Sequence, residues 1–348
     1  MKKPILFLFT LTLFSALAFA QPRPLRKIQQ ARQNRQEAQA NAAGTKSFTL
    51  QLEGVNREFV IYRPAKVPAN QKTPVVFAFH GTGGNGPQFM RDSGWMDVAD
   101  REGLTIVSGS SMRYHIYQDE LYSRGEVIEN SQQYAWKWNF FRLSDLLDPK
   151  YPNQKLYDDV KFTLAMIDTV KKDYAVDETR FYATGFSNGA QMASRLAVQL
   201  SHIFAAYGIC AIGNPFNAEE MARTNEYTNK PFTPRPVMHV LGELDGKVNH
   251  AAGTTSFPLD ESAVADGTYI KGRIITPWGM LLKLEDKYEY KRTNKGAWFR
   301  YSQSQAAGAK HEFVFTVAQG MGHTYQNGGK PGFKVADWFW SFMSKFKR

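Results

Sequence analysis

Residues 177–197 read DETRFYATGFSNGAQMASRLA, and this stretch decides the fold. At its centre, residues 185–189 spell G-x-S-x-G around Ser187. The strand-like run Arg180–Thr184 comes immediately before the pattern, and the helix-like run Ala190–Leu200 comes immediately after it. A tight turn between a strand and a helix holds a serine hydroxyl clear of the chain, and small glycines leave room for that turn. The pattern therefore predicts that Ser187 is a nucleophile.

Strand-like apolar runs alternate with helical periods along most of the chain. Strands that alternate with helices predict an α/β fold, with a mostly parallel central sheet and helices on both faces. Two aromatic-rich segments, 114–151 and 251–305, interrupt the alternation, at positions where α/β enzymes place lids and pocket walls. The predicted strands are Ser47–Leu52, Glu58–Tyr62, Pro74–His80, Leu104–Val107, Arg180–Thr184, Phe204–Ile209, Pro236–Leu241 and Glu312–Val317, and further helices are predicted at Tyr157–Tyr174 and around Val335–Phe342.

A serine nucleophile needs a base and an acid that orients the base, and candidates for both follow Ser187 in the chain. His323 lies between glycines in the stretch GMGHT at 320–324, which suits a histidine on an exposed loop. Asp245 follows a predicted strand, and Glu243 competes with it two residues earlier. We expect Ser187, His323 and Asp245 to form an acyl-transfer triad, with Asp245 favoured over Glu243.

Two backbone N–H groups are predicted to hold the negative charge that develops on a substrate oxygen. One belongs to Asn188, the residue after the nucleophile. The other belongs to Thr82, in the turn that follows the predicted central strand Pro74–His80. We expect His80 to brace this turn rather than to take part in the chemistry.

The same turn matches G-x-G-x-x-G at residues 81–86, a pattern that also occurs at dinucleotide sites. The next predicted strand ends at residues 107–110 as Val-Ser-Gly-Ser, without the acidic residue that would hold a ribose. A nucleotide site would also leave the Ser, Asp and His pattern unexplained. The sequence therefore favours an oxyanion turn, and we expect no cofactor.

The first 46 residues have the composition of a leader followed by a linker. Residues 1–20 combine two lysines, an uncharged apolar run and a small-x-small ending, which is the layout of a secretory signal peptide. Residues 21–46 contain too few large apolar side chains to fold alone. We expect a cleaved signal peptide at 1–20, a basic linker or tail at 21–46 and a catalytic domain at 47–348. The mature protein is then secreted or periplasmic, without a membrane-spanning segment.

The net charge of +11 comes from 43 Lys and Arg against 32 Asp and Glu. Residues 1–46 hold eight of the basic residues and one acidic residue, so 35 basic and 31 acidic residues remain in 47–348. The predicted catalytic domain is nearly balanced, and nucleic acid is not an expected partner. The single cysteine, Cys210, excludes an internal disulfide and a zinc site of several thiolates, and no other pattern predicts a metal.

Taken together, these motifs resemble those of the secreted α/β-hydrolases that include poly(3-hydroxybutyrate) depolymerase-like esterases and feruloyl esterases, of the carbohydrate esterase family 1 type. The resemblance implies an α/β-hydrolase fold and the hydrolysis of carboxylic esters through an acyl-enzyme, without a cofactor. It assigns the same triad and oxyanion residues as the motifs do. The stretches that carry it are FHGTGGN at 79–85, YDDVKFTLAMID at 157–168, residues 177–197, LGELDGKV at 241–248 and GMGHTYQNG at 320–328.

The substrate is predicted from the aromatic stretch YAWKWNFF at 134–141 and from the resemblance. In the related esterases a Trp-Asn pair precedes the helix that starts here at Tyr157, so Trp138 and Asn139, together with Trp136, are the predicted substrate contacts. Polymer depolymerases usually carry a separate binding module, for which this chain has no room. Feruloyl or acetyl esters of plant polysaccharide are therefore favoured. The alternatives are a polyhydroxybutyrate depolymerase or oligomer hydrolase, a peptidase, and a non-catalytic binding protein on a hydrolase scaffold.

Overall fold

The computed structural model describes residues 44–117, 132–302 and 311–348. Besides the strands and α-helices given below, these ranges contain short 3-10 turns at Leu143–Leu146 and Glu261–Val264 and a π-helical turn at Lys271–Ile275. The strands are β1 (Thr45–Leu52), β2 (Val55–Tyr62), β3 (Thr73–Phe79), β4 (Thr105–Gly109), β5 (Met112–Tyr117), β6 (Gln132–Lys137), β7 (Val176–Phe186), β8 (Ala206–Cys210), β9 (Val237–Gly242), β10 (Tyr288–Thr293), β11 (Gly296–Ser302) and β12 (Glu312–Ala318). The α-helices are α1 (Gly86–Asp92), α2 (Trp95–Glu102), α3 (Asp159–Asp173), α4 (Asn188–Gln199), α5 (Ala218–Met221), α6 (Gly246–Ala251), α7 (Thr276–Leu282) and α8 (Val335–Met343).

The predicted signal peptide, residues 1–20, and most of the predicted linker, residues 21–46, lie outside the described residues. Strand β1 begins at Thr45, so Thr45 and Lys46 belong to the first strand rather than to the linker. None of the helices in the described ranges combines the length and the apolar character that a bilayer crossing requires.

A ten-stranded sheet forms the centre of the fold, in the order β1-β2-β4-β3-β7-β8-β9-β12-β11-β10. The six inner strands pair in parallel; they are β4, β3, β7, β8, β9 and β12. Strands β1 and β2 at one edge and β11 and β10 at the other edge pair antiparallel. Parallel strands are covered on both faces, which explains why β3 is buried at every position. The predicted mostly parallel sheet is confirmed.

Side chains of each inner strand alternate between two hydrophobic layers. In β3, Val75, Phe77 and Phe79 pack into the layer beneath α3 and α4. Val76 and Ala78, on the opposite face of the same strand, pack into the layer formed with α1, α2 and α8. The sheet is therefore covered by helices on both faces, as the sequence predicts.

The carboxyl ends of four inner strands carry the predicted site residues. Strand β3 ends two residues before residues 81–84 of the predicted oxyanion turn, and β7 ends directly before Ser187. Strand β9 ends at Gly242, three residues before Asp245, and β12 ends at Ala318, ahead of His323. Because parallel strands end at the same edge of a sheet, the topology alone brings these loops together.

The two inserted segments have different structures. In the described part of segment 114–151, β5 and β6 form a separate antiparallel ribbon. In segment 251–305, β10 and β11 form a hairpin that extends the central sheet, and α7 buries Trp278 against the core. The second segment therefore enlarges the core as well as contributing to the surroundings of the site.

His239 lies inside β9 and is fully buried, as expected for a packed strand residue. Its Nε2 lies 2.9 Å from the carbonyl oxygen of Ile212, and its Nδ1 accepts the indole N–H of Trp278 at 3.2 Å. An indole N–H can only donate, so Nδ1 carries no proton and the ring is neutral. Burial lowers the pKa of His239 to about 3.

We expect the protein to lose stability as the pH falls from the ordinary histidine value of 6.5 toward 3. The unfolded chain takes up a proton at His239 in this window, whereas the folded chain does not, so protonation favours unfolding. The measurement is the melting temperature from about pH 7 to about pH 4, for wild type and His239→Gln. The variant should show a shallower pH dependence, with a residual slope from the other histidines whose pKa burial lowers, which are His80, to about 4, and His202 and His311. Equal slopes would contradict the assignment to His239.

Candidate active site

Ser187 occupies a strained turn between β7 and α4. Its backbone has a φ of 51° and a ψ of −120°, a combination that non-glycine residues rarely adopt. A Cβ on Gly185 would lie 2.1 Å from the carbonyl oxygen of Gly189, and a Cβ on Gly189 would lie 2.1 Å from that of Phe79. Both positions therefore require glycine. The Ser187 side chain remains partly exposed at the carboxyl edge of the sheet.

Ser187, His323 and Asp245 are joined by hydrogen bonds. The Nε2 atom of His323 lies 3.0 Å from Oγ of Ser187, and its Nδ1 lies 3.0 Å from both carboxylate oxygens of Asp245. A carboxylate only accepts, so Nδ1 carries the proton and Nε2 is free to accept the serine hydroxyl. Asp245 is fully buried, whereas the His323 side chain is 18% exposed. This arrangement can pass a proton from Ser187 to a histidine that a buried carboxylate orients.

Asp245 is fixed from its other side by the backbone of α6, for which it is the N-cap. Its Oδ1 accepts the N–H groups of Lys247 and Val248, both at 3.2 Å. These bonds satisfy N–H groups that have no partner within the helix and hold the carboxylate in one orientation.

Glu243, the competing acid in the sequence, points elsewhere. Its Oε2 accepts the backbone N–H of Gly320 at 2.7 Å, so the side chain anchors the loop that carries His323. Its main chain also pairs with that loop, because the Glu243 N–H donates to the carbonyl of Ala318 at 2.9 Å. The structure brings Asp245, and not Glu243, to the imidazole.

Thr82 and Asn188 lie in the two loops where oxyanion donors were predicted. Asn188 begins α4, directly after Ser187, and Thr82 lies in the turn after β3. Within the described residues, neither backbone N–H donates to a protein acceptor. Their role as oxyanion donors stays a prediction.

His80 braces the turn that contains Thr82. Its Nε2 accepts the backbone N–H of Ser111 at 3.1 Å, which leaves the Nδ1–H to donate to the carbonyl of Gly81 at 2.7 Å. Burial lowers the pKa of His80 to about 4, so the ring stays neutral at ordinary pH. The ring is fully used within the fold, as expected for a structural histidine.

None of the three predicted substrate contacts lines the cavity that borders Ser187. Trp138 is completely buried, and its ring packs edge-on against Phe79 with centroids 5.1 Å apart. The side chain of Asn139 donates to the carbonyl of Tyr157 at 2.7 Å, and Trp136 lines a different cavity, on the β5–β6 ribbon. Packing turns the Trp138 side chain into the fold, whereas Trp136 stays partly exposed on the β5–β6 ribbon.

A cavity of about 320 Å³ borders Ser187 and His323 directly. Its walls combine apolar and polar side chains, and they come from loops and helices that are distant in the sequence. Gln191 lies one helical turn after Ser187, so the helical period could have revealed it. The positions of the other lining residues depend on packing between distant segments of the chain, which no local sequence pattern predicts. The main lining residues are Phe140, Arg142, Ile212, Lys247, Val248 and Tyr269.

A second cavity, of about 540 Å³, is lined by the predicted oxyanion turn. It borders Thr82, Phe186 and Thr324, the last two being chain neighbours of Ser187 and His323. Tyr325 closes one wall, with its hydroxyl accepting the indole N–H of Trp95 at 2.9 Å. This cavity therefore adjoins the chain neighbours of Ser187 and His323 but is not lined by these two residues.

The chain is similar in sequence to two curated proteins over part of its length. No protein-family model matches the chain. A bifunctional acetylxylan esterase/xylanase of Neocallimastix patriciarum is 24% identical over 198 residues, which is 57% of this chain and 23% of that protein. NocK of Nocardia uniformis subsp. tsuyamanensis is 26% identical over 223 residues, which is 64% of this chain and 54% of NocK. The matched regions thus span only about a quarter and about half of these curated relatives.

Among solved structures, an acetyl xylan esterase from Aspergillus awamori superposes with a TM-score of 0.51 at 15% identity. The match covers 86% of this chain and 99% of that enzyme. At this identity the likeness establishes the fold, which is that of the α/β-hydrolases. The predicted resemblance to α/β-hydrolase esterases is confirmed.

The close packing at Gly189 should make the stability of the fold sensitive to any side chain at this position. We expect Gly189→Ala to destabilise the fold by about 4 kcal/mol or more, because the new methyl group would overlap backbone that cannot easily move. Urea unfolding followed by circular dichroism measures the change. Gly279→Ala is the matched control, since a Cβ there meets no atom within 4 Å and α7 should gain about 0.5–1 kcal/mol. Equal stability of the two variants would contradict the proposed steric constraint.

Proposed function

We propose that this protein is a serine esterase that hydrolyses carboxylic esters through an acyl-enzyme, acting on acetyl or feruloyl esters of plant polysaccharide. The observation that carries the proposal is the chain of hydrogen bonds from Ser187 through His323 to Asp245, each 3.0 Å long. The acetylxylan esterase relative supports the choice of substrate.

In the proposed first step, Oγ of Ser187 attacks the ester carbonyl carbon while Nε2 of His323 takes the hydroxyl proton. Asp245 stabilises the imidazolium that forms and keeps its Nδ1–H in place. The carbonyl oxygen becomes negatively charged and is stabilised by the N–H groups of Thr82 and Asn188. When the tetrahedral intermediate collapses, the C–O bond to the alcohol breaks, the alcohol takes the proton from His323, and the acyl group stays on Ser187.

In the second step, a water molecule repeats the attack on the acyl-enzyme. Nε2 of His323 removes a proton from the water as the oxygen bonds to the carbonyl carbon. The second intermediate collapses, the Ser187 oxygen leaves with the proton from His323, and the carboxylic acid is released. Water supplies one hydrogen to the alcohol and its hydroxyl to the acid over the cycle.

The cavity that borders Ser187 and His323 is the proposed ester-binding pocket. Its volume of about 320 Å³ suits a small acyl group or a single ring, and its mixture of apolar and polar walls is typical of small-molecule sites. Acetyl esters are the first substrates to test, and feruloyl esters are the second. Export is part of the proposal, because residues 1–20 have the layout of a signal peptide.

A non-catalytic binding protein is the alternative from another class. A binding protein without activity would not need the buried carboxylate of Asp245 at Nδ1 of His323, nor Nε2 of the same ring at Ser187. The triad geometry therefore favours an enzyme. No feature of the described residues specifically favours a polyester substrate or a peptide.

We expect the wild-type protein to release acetate from acetylated xylan or ferulate from methyl ferulate, and Ser187→Ala to lose about 10⁵-fold or more in kcat. Removing the nucleophile removes the covalent route, while the buried framework stays intact. Product release is measured by chromatography, with a polyhydroxybutyrate film and a peptide as comparison substrates. If only the polyhydroxybutyrate film or only the peptide is hydrolysed, the proposed substrate class is wrong. Absence of turnover on every ester, or equal turnover by the variant, would overturn the mechanism.

The choice between the two acids provides a second kinetic test. Asp245→Asn should lower kcat about 10⁴-fold, because an amide no longer fixes the imidazole in the required tautomer. Glu243→Gln is the matched control, since its side-chain oxygen can still accept the N–H of Gly320, and kcat should change less than about threefold. The reverse order of effects would identify Glu243 as the orienting acid.

A further inference from the structure

Residues Trp136–Asn139, which we call the bridging segment, connect the two loops that carry the proposed oxyanion donors. On one side the segment is held by the side chain of Asn188. Its Oδ1 accepts the backbone N–H of Trp138 at 2.6 Å, and its Nδ2 donates to the Trp138 carbonyl at 3.3 Å. Asn188 is almost completely buried, so water does not compete for these bonds. The first residue of α4 is thereby fixed to the bridging segment.

On the other side, the bridging segment holds the turn after β3. The indole N–H of Trp138 donates to the carbonyl of His80 at 3.0 Å, two residues before Thr82. The backbone N–H of Gly83 donates to the carbonyl of Trp136 at 2.8 Å, one residue after Thr82. The Thr82 peptide therefore lies between two points of attachment to the same short segment.

The bridging segment is itself anchored from behind. The backbone N–H of Asn139 donates to a carboxylate oxygen of Asp159 at 2.6 Å, and the other oxygen pairs with Arg57 at 2.5 Å. Arg57 and Asp159 are both buried. Arg195 of α4 donates to the Asn139 carbonyl at 2.6 Å. Hydrogen bonds to charged groups are stronger than neutral ones, so the segment has a rigid support.

We propose that Trp138 is a positioning residue, which sets the separation of the Thr82 and Asn188 N–H groups by joining the turn after β3 to the start of α4. This inference rests on the proposed esterase function. Oxyanion donors act at 2.7–3.1 Å from the oxygen, and only once charge has developed on it. A small error in their separation therefore raises the energy of the transition state and leaves the binding of the ground-state ester nearly unchanged.

Trp138→Phe tests the proposal, because it keeps an aromatic ring and removes the N–H that reaches His80. We expect kcat to fall about 10- to 100-fold with KM within about twofold of wild type. The inhibition constant of a trifluoromethyl ketone, which forms a tetrahedral oxyanion on the serine, should rise by the same factor as kcat/KM falls. A purely structural role would not produce this proportionality. Replacement of Trp138 by 3-benzothienylalanine, which keeps the shape without the N–H, gives the same test if the phenylalanine variant does not fold.

Trp278→Phe is the matched control. Trp278 is also completely buried, and its indole N–H also makes one buried hydrogen bond, to His239, away from the oxyanion loops. This variant should lose thermal stability but keep kcat and inhibitor affinity. Loss of kcat in both tryptophan variants to the same extent, or unchanged inhibitor affinity in the Trp138 variants, would overturn the proposal. If wild type itself hydrolyses no ester, the proposed function fails instead, and the two failures are distinguishable.

Discussion

The close approach of Gly189 to the end of β3 is the constraint on which the rest of the site depends. A Cβ at this position would lie 2.1 Å from the carbonyl oxygen of Phe79 and 2.4 Å from that of His80. Because no side chain separates them, the first turn of α4 lies directly on the turn after β3. Ser187 must then take its strained conformation, which its N–H stabilises by donating to the carbonyl of Cys210 at 2.9 Å. The proposed nucleophile and both proposed oxyanion donors thus lie next to this one backbone contact.

A second close approach brings the loops of Asp245 and His323 together. A Cβ on Gly242 would lie 2.3 Å from the carbonyl oxygen of Met321, so the loops after β9 and β12 touch through their backbones. The N–H of Leu244 donates to the same Met321 carbonyl at 2.9 Å. Asp245 and His323 therefore meet because two neighbouring parallel strands deliver their loops to the same edge. The side-chain hydrogen bonds complete an arrangement that the main chain has already set.

Local sequence patterns explain why the inner strands, several helices and the turn at Ser187 could be predicted from the sequence. The inner strands and α3, α4 and α8 appear as apolar runs and helical periods, and the tight turn at Ser187 leaves its own glycine signature. Trp138 and Asn139 show the limit of such patterns. Their burial depends on contacts with Phe79 and Asp159, which lie 59 and 20 residues away, and nothing local encodes those contacts. A similar limit applies to Thr45 and Lys46, which look like linker residues until they pair with β2.

The aromatic stretch at 134–141 separates into two roles that its composition does not distinguish. Trp138 belongs to the framework, whereas Phe140 reaches the cavity beside Ser187. The other walls of that cavity come from side chains outside the sheet, including Arg142, which pairs with Glu220 at 3.4 Å, and Tyr269 from the second inserted segment. Backbone contacts between buried strands and turns set the proposed triad, while side chains on loops and on α6 set the cavity. Changes in those side chains can therefore alter which ester fits without moving the groups that would cleave it.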